Sequence, residues 1–313
     1  MNSNSYIIFT KRLLILVAAF LLLDLALGNT LKKFYFSQQT GIDYHTIYSV
    51  EKTKEEILFF GSSRASHHYV PRVFTDKFSM TAFNTGRDGN FILYGYSVLQ
   101  ATLKRYTPKM VVLDISQREL EKKEGGYDYL SSLLPFYKGH PEMRDVLDHR
   151  TTFEKVKVIS AIYPFNSLFP MIAANNLKKD RSYLDAAGYS PLKRTMNREA
   201  EQRKLEKEYE LDPYLEKIFR EFLVSCKSKQ VPVVVITSPY FDNYGYRDPS
   251  LAKVAEIAKQ EGVLYLDYAK DPRYVGQKGK FDDYHHLNDS AAHEFSAICA
   301  DSIARSGILT NVK

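Results

Sequence analysis

The sequence predicts an α/β fold of three layers, in which helices cover both faces of a mainly parallel five-stranded sheet. Five short apolar runs of strand length recur along the chain, and segments with apolar residues at helical spacing lie between several of them. Strands that alternate with helices in this way are typical of parallel sheets. The 313 residues are 44% hydrophobic and 26% charged, which is ordinary for a globular protein and argues against a disordered chain.

The predicted strands are short and mainly apolar, as expected of strands that are buried on both faces. They cover residues 57–60, 80–83, 110–115, 232–237 and 263–267. Helices are predicted over residues 91–106, 213–229 and 249–261, and from residue 289 to the residue before Gly307. Asp212 and Asn288 are N-cap residues for two of these helices, and Pro213 suits a first helical position.

We expect one domain over residues 55–313, interrupted by an insertion over 117–205. The insertion is rich in Tyr, Pro, Lys and Asn and shows no long strand pattern, so we interpret it as a helical insertion rather than a separate domain. Residues 29–54 are polar and aromatic without a clear period. We predict that they form a stalk leading into the domain.

Residues 1–28 are predicted to hold the domain on a membrane. Lys11 and Arg12 precede an apolar run over 13–27 that only Asp24 interrupts. As a helix this run spans about 22 Å, so flanking residues must complete a crossing of a hydrocarbon core about 30 Å thick. A cleaved signal peptide is one alternative, because Ala-Leu-Gly at 26–28 resembles a small-residue cleavage site, and a buried helix of a soluble protein is another. With either an anchor or a signal peptide, we expect the domain outside the cytoplasm.

Charge and cysteine content exclude several classes of protein. The net charge of +6 is modest, and the sequence contains no arginine-rich tract. Both observations argue against a nucleic-acid partner. Cys226 and Cys299 are the two cysteines, and they match neither a disulfide framework nor a metal-binding spacing. We therefore predict neither a metal nor a cofactor.

Three polar segments are predicted to lie near the carboxyl ends of the strands. In an open parallel sheet, this is the edge at which ligands bind. The first is Gly-Ser-Ser-Arg at 61–64, directly after the first strand. A serine at a strand-to-helix turn exposes its hydroxyl as a nucleophile, although an ordinary turn is the alternative. The second is residues 84–90, whose two glycines permit tight backbone turns with free N–H groups, and an ordinary loop is again the alternative.

The third segment, residues 282–288, precedes the last helix. Asp283 stands three residues before His286, so its carboxylate can bond one ring nitrogen and leave the other to accept a serine proton. We expect Asp282 and His285 to be supporting residues. A solvated loop is one alternative. A metal site that uses residues 67–68 (His-His) is another, although no spacing matches a zinc motif.

Together the three segments resemble the SGNH (GDSL-like) hydrolase superfamily. Residues 60–63 (Phe-Gly-Ser-Ser) are similar to its first block, with Gly-Ser-Ser in place of Gly-Asp-Ser, and residues 283–288 are similar to its last block. The resemblance covers about residues 57–303 outside the insertion. It implies a flavodoxin-like three-layer domain in which Ser63 is the nucleophile and the Asp283/His286 pair is its base.

The same resemblance implies an oxyanion hole. Residues 84–89 are similar to the second block, and the register Asn-x4-Gly makes Gly89 a donor together with the N–H group of Ser63. The third block supplies an asparagine, but this chain has Asp-Ile-Ser-Gln at 114–117, so Ser116 or Gln117 is the candidate replacement. Because loss of one oxyanion donor costs about 100- to 1000-fold in rate, we expect reduced activity on unactivated esters.

The resemblance implies an esterase or an O-acyltransferase with an acyl-serine intermediate. An SGNH domain behind an N-terminal anchor is also similar in architecture to the D-alanine transfer protein of teichoic acid synthesis and to the alginate O-acetylation proteins. These proteins work beside a membrane-bound O-acyltransferase, so we expect such a partner and an acylated cell-envelope glycan. Aromatic residues of the insertion are expected to stack on its sugar rings, and a small core within the insertion, with no role in binding, is the alternative for them: Tyr127, Tyr129, Phe136, Tyr137, Tyr163 and Phe165. A non-catalytic scaffold or binding subunit of a polymer-export machine and a metal-dependent phosphoesterase are the alternatives.

Overall fold

The computed structural model describes residues 3–123, 127–177, 185–205 and 208–309. Its strands are β1 (Ile57–Phe60), β2 (Ala82–Asn84), β3 (Met110–Asp114), β4 (Gln202–Arg203), β5 (Val233–Thr237), β6 (Asn243–Tyr244) and β7 (Leu264–Asp267). Five of them form one sheet in the order β2-β1-β3-β5-β7, in which every neighbouring pair is parallel. Counted within the sheet, this is the 2-1-3-4-5 order of flavodoxin-like folds. The predicted fold class is confirmed.

The helices are α1 (Ser3–Phe36), α2 (Gly41–Ile47), α3 (Ser63–His68), α4 (Pro71–Phe78), α5 (Ile92–Arg105), α6 (Arg144–Asp148), α7 (Glu154–Lys157), α8 (Phe169–Leu177), α9 (Pro213–Ser228), α10 (Pro249–Glu261) and α11 (Asp289–Ser306). Helices α5, α9 and α10 pack on one face of the sheet, and α4 and α11 pack on the other. The side chains of β1 alternate between the two layers: Phe60 contacts Phe222 of α9, and Phe59 contacts Phe74 of α4.

The predicted starts of α9 and α11 and the predicted end of α11 agree with the structure because each depends on a local cap. The side chain of Asp212 accepts a hydrogen bond from the N–H group of Tyr214, and that of Asn288 accepts one from Ala291. Helix α11 ends at Gly307, which has a left-handed backbone with φ of 69°. The second strand begins at residue 82 instead of 80, because its ladder with β1 starts at the pair Ile57–Ala82.

Residues 29–54 do not form the stalk that was predicted. Helix α1 continues without a break to Phe36, and α2 and a π-helical turn over Tyr48–Lys52 follow it. Tyr35 and Val50 are fully buried in the main hydrophobic core. The segment shows no single period because it consists of the end of α1, then α2, then the π-helical turn, rather than one regular element.

The insertion packs as short α- and 3₁₀-helical turns, including 3₁₀ helices at Asp128–Phe136, Pro141–Met143 and Tyr163–Phe165. It also contains β4, which pairs in parallel with β6 and was not predicted. A strand of two residues is too short to show a periodic pattern. Among the described residues, one helix, over Ser5–Phe36, is long and apolar enough to cross a membrane, a property it shares with signal sequences.

Candidate active site

Ser63 lies at the carboxyl end of β1, where the chain turns into α3. Gly61 makes this turn possible: its φ is 141°, and a Cβ atom there would lie 2.8 Å from the carbonyl oxygen of Asp114. Strands β2 and β3 flank β1, so Ser63 stands where the strand order reverses direction. Ligands bind at this point in open parallel sheets.

The structure brings Ser63, His286 and Asp283 together. Nε2 of His286 lies 2.8 Å from Oγ of Ser63, and Nδ1 of the same ring lies 2.9 Å from both carboxylate oxygens of Asp283. A carboxylate accepts, so it favours the proton on Nδ1 and leaves the lone pair of Nε2 directed at the serine hydroxyl. Ser63 is half-buried, and the arrangement has the geometry of a nucleophile, a base and its orienting partner.

The Asp283 carboxylate is built to remain charged. Burial raises its pKa, but hydrogen bonds from the His286 ring and from the backbone N–H groups of His285 and His286 outweigh burial and hold the pKa well below its ordinary value. A charged carboxylate stabilises the imidazolium that forms when His286 accepts a proton.

Asp282 and His285 directly precede Asp283 and His286 in the chain, and their supporting role stays a prediction. Oδ1 of Asp282 accepts a hydrogen bond from the N–H group of Arg194 at 2.6 Å, and Oδ2 accepts one from Nε of Arg194 at 3.0 Å, which ties the loop to the insertion. The His285 ring packs against Tyr284 at 4.0 Å between ring centres. Burial and the nearby Arg64 charge lower the pKa of His285 to about 4, so this ring is neutral at pH 7.

The sequence did not single out Arg64, although it directly follows the nucleophile. Its buried guanidinium donates to the carbonyl oxygens of His285, Ser238 and Pro239, and it lies 3.9 Å from the centre of the Tyr240 ring. Arg64 thereby joins the serine turn to the end of β5 and to the histidine loop. Its position within the Gly-Ser-Ser-Arg motif was the available signal.

His67 and His68, the candidate ligands of the metal alternative, both have protein partners. Nδ1 of His67 lies 2.7 Å from the carbonyl oxygen of Ser190, and Nε2 lies 3.4 Å from Oδ2 of Asp88. Burial raises the pKa of Asp88, but the His67 contact and a hydrogen bond from Ser66 lower it to about 2. His68 is fully buried and bridges Ser238 and Leu287.

The three candidate oxyanion donors differ in their surroundings. Gly89 is exposed with φ of 68°, and it is not among the described residues that line the cleft around Ser63. Ser116 lines the cleft, but its hydroxyl donates to Oε2 of Glu119 at 2.6 Å. Gln117 also lines the cleft, and its backbone N–H group donates to the Tyr240 hydroxyl at 2.6 Å. Because the Ser116 hydroxyl is already directed at Glu119, Gln117 stays the candidate replacement for the missing asparagine. Its role and that of Gly89 both stay predictions.

The cleft has a volume of about 410 Å³ and combines aromatic and charged side chains. Besides the serine and histidine loops, its lining residues include Phe91, Arg118, Glu121, Lys123, Tyr240, Tyr244 and Tyr246. A larger recess of about 810 Å³ adjoins it at Gln117 and Tyr246 but does not reach Ser63.

The aromatic residues expected to grip a glycan do not line this cleft in the described part of the chain. Phe136 and Phe165 are buried in the main core, where both rings contact Tyr35. The Tyr137 hydroxyl donates to Asp148, and the Tyr163 hydroxyl donates to Glu154. Phe136 and Phe165 thus join the insertion to the main core, Tyr137 and Tyr163 bond within the insertion, and Phe91, Tyr240, Tyr244 and Tyr246 provide the aromatic surface of the cleft instead.

No protein-family model matches this sequence, and no match is found among curated proteins. Among solved structures, the chain is similar to a GDSL-like lipase from Bacteroides thetaiotaomicron VPI-5482, with 8% identity, a TM-score of 0.37, and coverage of 89% of this chain and 98% of that one. It is similar to LAE5, an alpha/beta hydrolase enzyme from the metagenome of Lake Arreo, with 12% identity, a TM-score of 0.41 and coverage of 82% and 97%. A mutant of Axe2, an acetyl-xylooligosaccharide esterase from Geobacillus Stearmophilus, has 12% identity, a TM-score of 0.38 and coverage of 79% and 92%.

Proposed function

We propose that this protein is a serine esterase or O-acyltransferase that works through an acyl-serine intermediate. The observation that carries the proposal is the continuous contact from Ser63 through His286 to Asp283, at 2.8 and 2.9 Å. Such a contact activates a hydroxyl that is otherwise a weak nucleophile at neutral pH.

The chemistry follows from these positions. Oγ of Ser63 attacks the acyl carbonyl carbon while Nε2 of His286 takes the hydroxyl proton. We assign the side-chain amide of Gln117, a residue that lines the cleft, as a donor to the resulting oxyanion. The tetrahedral intermediate expels the alcohol, which receives the proton from His286. Water or a sugar hydroxyl then gives its proton to His286 and attacks the acyl-Ser63 ester, which releases the acid or the new ester and restores the serine.

The substrate we propose is an acylated cell-envelope glycan. Tyr240, Tyr244 and Tyr246 present rings in the cleft, and aromatic faces pack well against sugar rings. Arg118 at the same opening is paired with Glu121, so Lys123 supplies the excess positive charge there, which suits a polymer with anionic groups. The aromatic surface of the cleft is thus supplied by residues 240–246 rather than by the insertion.

We also propose that α1 remains attached and anchors the domain outside the cytoplasm. Cleavage after Gly28 would remove Asp24, whose carboxylate accepts hydrogen bonds from Ser160 Oγ and from the N–H groups of Ala161 and Ile162. Gly28 lies so close to Ala161 that a Cβ atom there would be 2.3 Å from its carbonyl carbon. Protein purified from membranes should therefore begin at or near Met1, and a mature N-terminus at Asn29 would refute the anchor.

A fluorophosphonate probe tests the catalytic assignment. Ser63→Ala should abolish labelling, and the neighbouring Ser62→Ala is the matched control that should retain it. His286→Ala should lower the labelling rate about 10⁴-fold or more, as for other triad histidines, whereas His285→Ala should cost far less. Equal labelling of the wild type and Ser63→Ala, or a larger loss from His285→Ala, would refute the assignment.

We propose that transfer to a sugar hydroxyl prevails over hydrolysis beside a membrane-bound O-acyltransferase. Anchoring keeps the enzyme near growing surface polymer, which raises the effective concentration of the acceptor. The assay supplies an activated acyl donor with and without candidate oligosaccharides and follows acyl-sugar by mass spectrometry. Release of free acid alone, unchanged by every acceptor, would leave an esterase.

A catalytically weak scaffold is the second candidate, and the loop after β3 favours it. The asparagine of the third SGNH block is missing there, and Glu119 accepts the hydrogen bond of the Ser116 hydroxyl. The labelling experiment separates the two candidates, because only an activated serine reacts quickly with the probe.

A further inference from the structure

Three large apolar side chains on the insertion are exposed on one side of a short helical segment. Phe153, Val156 and Ile159 are 66%, 64% and 74% exposed. They recur every third residue around α7, and Glu154 and Val158 from the same segment are buried in the domain. A segment with one apolar face in solvent and one packed face is amphipathic, and exposed apolar patches of this kind mark an interaction surface.

Asp24 fixes this segment at a defined height along α1. Its carboxylate accepts hydrogen bonds from Ser160 Oγ at 2.6 Å, from the N–H group of Ala161 at 2.7 Å and from that of Ile162 at 3.3 Å. The carboxylate that interrupts the apolar run of α1 is thus bound to the residues that directly follow Ile159.

The exposed face lies beside exposed apolar residues of α1. Val156 and Ile159 form one wall of a shallow groove, and Val17, Phe20 and Leu21 form the other. These three residues of α1 are 47%, 64% and 59% exposed. Val17 lies about 10 Å from Asp24 toward the N-terminus of the helix, inside the segment proposed to cross the membrane. The medium that surrounds Phe20 and Leu21 must therefore also reach Val156 and Ile159.

Positive charge lies at the next level along α1. Lys32 and Lys138 line a recess with Gly28, and Lys32 stands about 12 Å beyond Asp24 along the helix. Along α1 from the N-terminus toward Phe36, the exposed apolar side chains come first and the lysines follow. This order matches the acyl chains and the anionic headgroups of a bilayer leaflet.

We propose that the apolar side chains of Phe153, Val156 and Ile159 insert into the outer part of the bilayer that holds α1, with the exposed Lys155 directed toward the headgroups, and that they form a second membrane contact. This inference rests on the proposed membrane anchor. Two contacts, joined rigidly through Asp24, set the tilt of the domain as well as its distance from the surface. The Ser63 cleft is then held in one orientation toward substrates at the membrane surface, instead of rotating about a single helix.

Depth-dependent quenching in the full-length protein tests this contact. Single cysteines are introduced as Ile159→Cys, as Leu22→Cys on α1, and as Lys259→Cys on α10, which packs at the β7 edge of the sheet. The native Cys226 and Cys299 are fully buried and remain in place. Each variant carries the fluorophore NBD in vesicles of equal parts phosphatidylcholine and phosphatidylglycerol, with or without doxyl-labelled phosphatidylcholine. We expect a blue shift and a loss of emission at positions 159 and 22, and neither change at 259.

The outcomes separate the two proposals. Quenching at position 22 without quenching at position 159 would overturn the second contact and leave the anchor in place. The same result is expected if a protein partner or water, instead of lipid, covers the face formed by Phe153, Val156 and Ile159. A lack of quenching at all three positions would refute both the anchor and the contact. Fluorophosphonate labelling of Ser63 in the same vesicles reports the hydrolase proposal independently. Val156→Cys provides a second reporter on the same face if Ile159→Cys disturbs folding.

Discussion

His68 holds the backbone of Leu287, the residue that follows the candidate base. Nε2 of His68 accepts a hydrogen bond from the Leu287 N–H group at 3.0 Å, so its proton is on Nδ1, which donates to the hydroxyl of Ser238 at 2.9 Å. His68 is fully buried, and burial holds its pKa well below the ordinary value. A neutral histidine on the serine helix therefore positions the loop that carries His286.

His68→Ala should lower kcat about 100-fold with little change in KM, because His286 would lose its register with Ser63 by a fraction of an ångström. His68→Gln should recover part of the rate, since its amide oxygen can accept the Leu287 hydrogen bond. Steady-state kinetics on an activated ester, with the fluorophosphonate labelling rate, measure the effect. A loss of thermal stability in His68→Ala without any change in kcat would reduce His68 to a structural residue.

The sequence predicts those structural roles that depend on local patterns, and it misses those that depend on tertiary contacts. Asn288 and Asp212 were predicted as N-caps because a cap involves only its own helix. The role of Arg64 was missed, and His68 was considered only as a metal ligand, because their partners, at residues 238, 285 and 287, lie more than 150 positions away in the sequence. No pattern within one segment shows such a contact.

The stalk prediction failed for the same physical reason. Tyr35 and Val50 become buried only when α1, α2 and the π-helical turn pack on the domain, so no single period marks them. Asp24 is the clearest example. It interrupts an apolar run, and its carboxylate accepts hydrogen bonds from residues 160–162, which are far away in the sequence.

Gln117 should supply the second oxyanion donor. Gln117→Ala, and Gln117→Glu with a similar shape but no donor, should each lower kcat about 100- to 1000-fold while KM changes little. Ser116→Ala is the matched control from the same loop and should cost about tenfold or less, because the Ser116 hydroxyl is directed at Glu119. Burial raises the pKa of the Glu119 carboxyl to about 7, although hydrogen bonds from Ser116 and from the N–H group of Ile92 oppose this change. A larger loss from Ser116→Ala would assign the donor to Ser116.

His45 should make the fold sensitive to acid. Burial, with the nearby Arg87 charge, lowers its pKa from 6.5 to about 4, although its hydrogen bond to the carbonyl oxygen of Asn84 at 2.7 Å opposes this change. The unfolded chain therefore binds the proton first on acidification. The stabilisation is complete above about pH 6.5 and is lost as the pH falls to about 4. A shift of this size corresponds to about 3 kcal/mol.

Thermal melting of the solubilised protein between pH 7.5 and 4, scanned in steps, measures this loss. His45→Gln keeps a donor for Asn84 without a titrating group, so its melting temperature should fall less steeply over the same range. His68 and His285, whose pKa values are also lowered, should account for the slope that remains. Identical slopes for the wild type and His45→Gln would show that His45 does not control acid stability.

Asp24 should affect membrane insertion and domain stability in opposite directions. Asp24→Ala makes α1 more apolar, and a central carboxylate costs about 2.5–3.5 kcal/mol on insertion scales, so insertion should improve or stay unchanged. The same change leaves the part-buried hydrogen-bond donors of Ser160, Ala161 and Ile162 without their acceptor. An unsatisfied buried donor costs about 1–3 kcal/mol, and donors that water reaches cost less. The melting temperature of the detergent-solubilised protein should therefore fall. Asp24→Asn keeps one acceptor oxygen, so its melting temperature should lie between those of Asp24→Ala and the wild type.

The control for this experiment is Leu23→Ala. Leu23 is next to Asp24 on an exposed side of α1, so this change should leave the melting temperature unchanged. If Asp24→Ala melts at or above the wild-type temperature, the hydrogen bonds to residues 160–162 do not stabilise the join between α1 and the insertion, and the fixed orientation of the Ser63 cleft loses its physical basis.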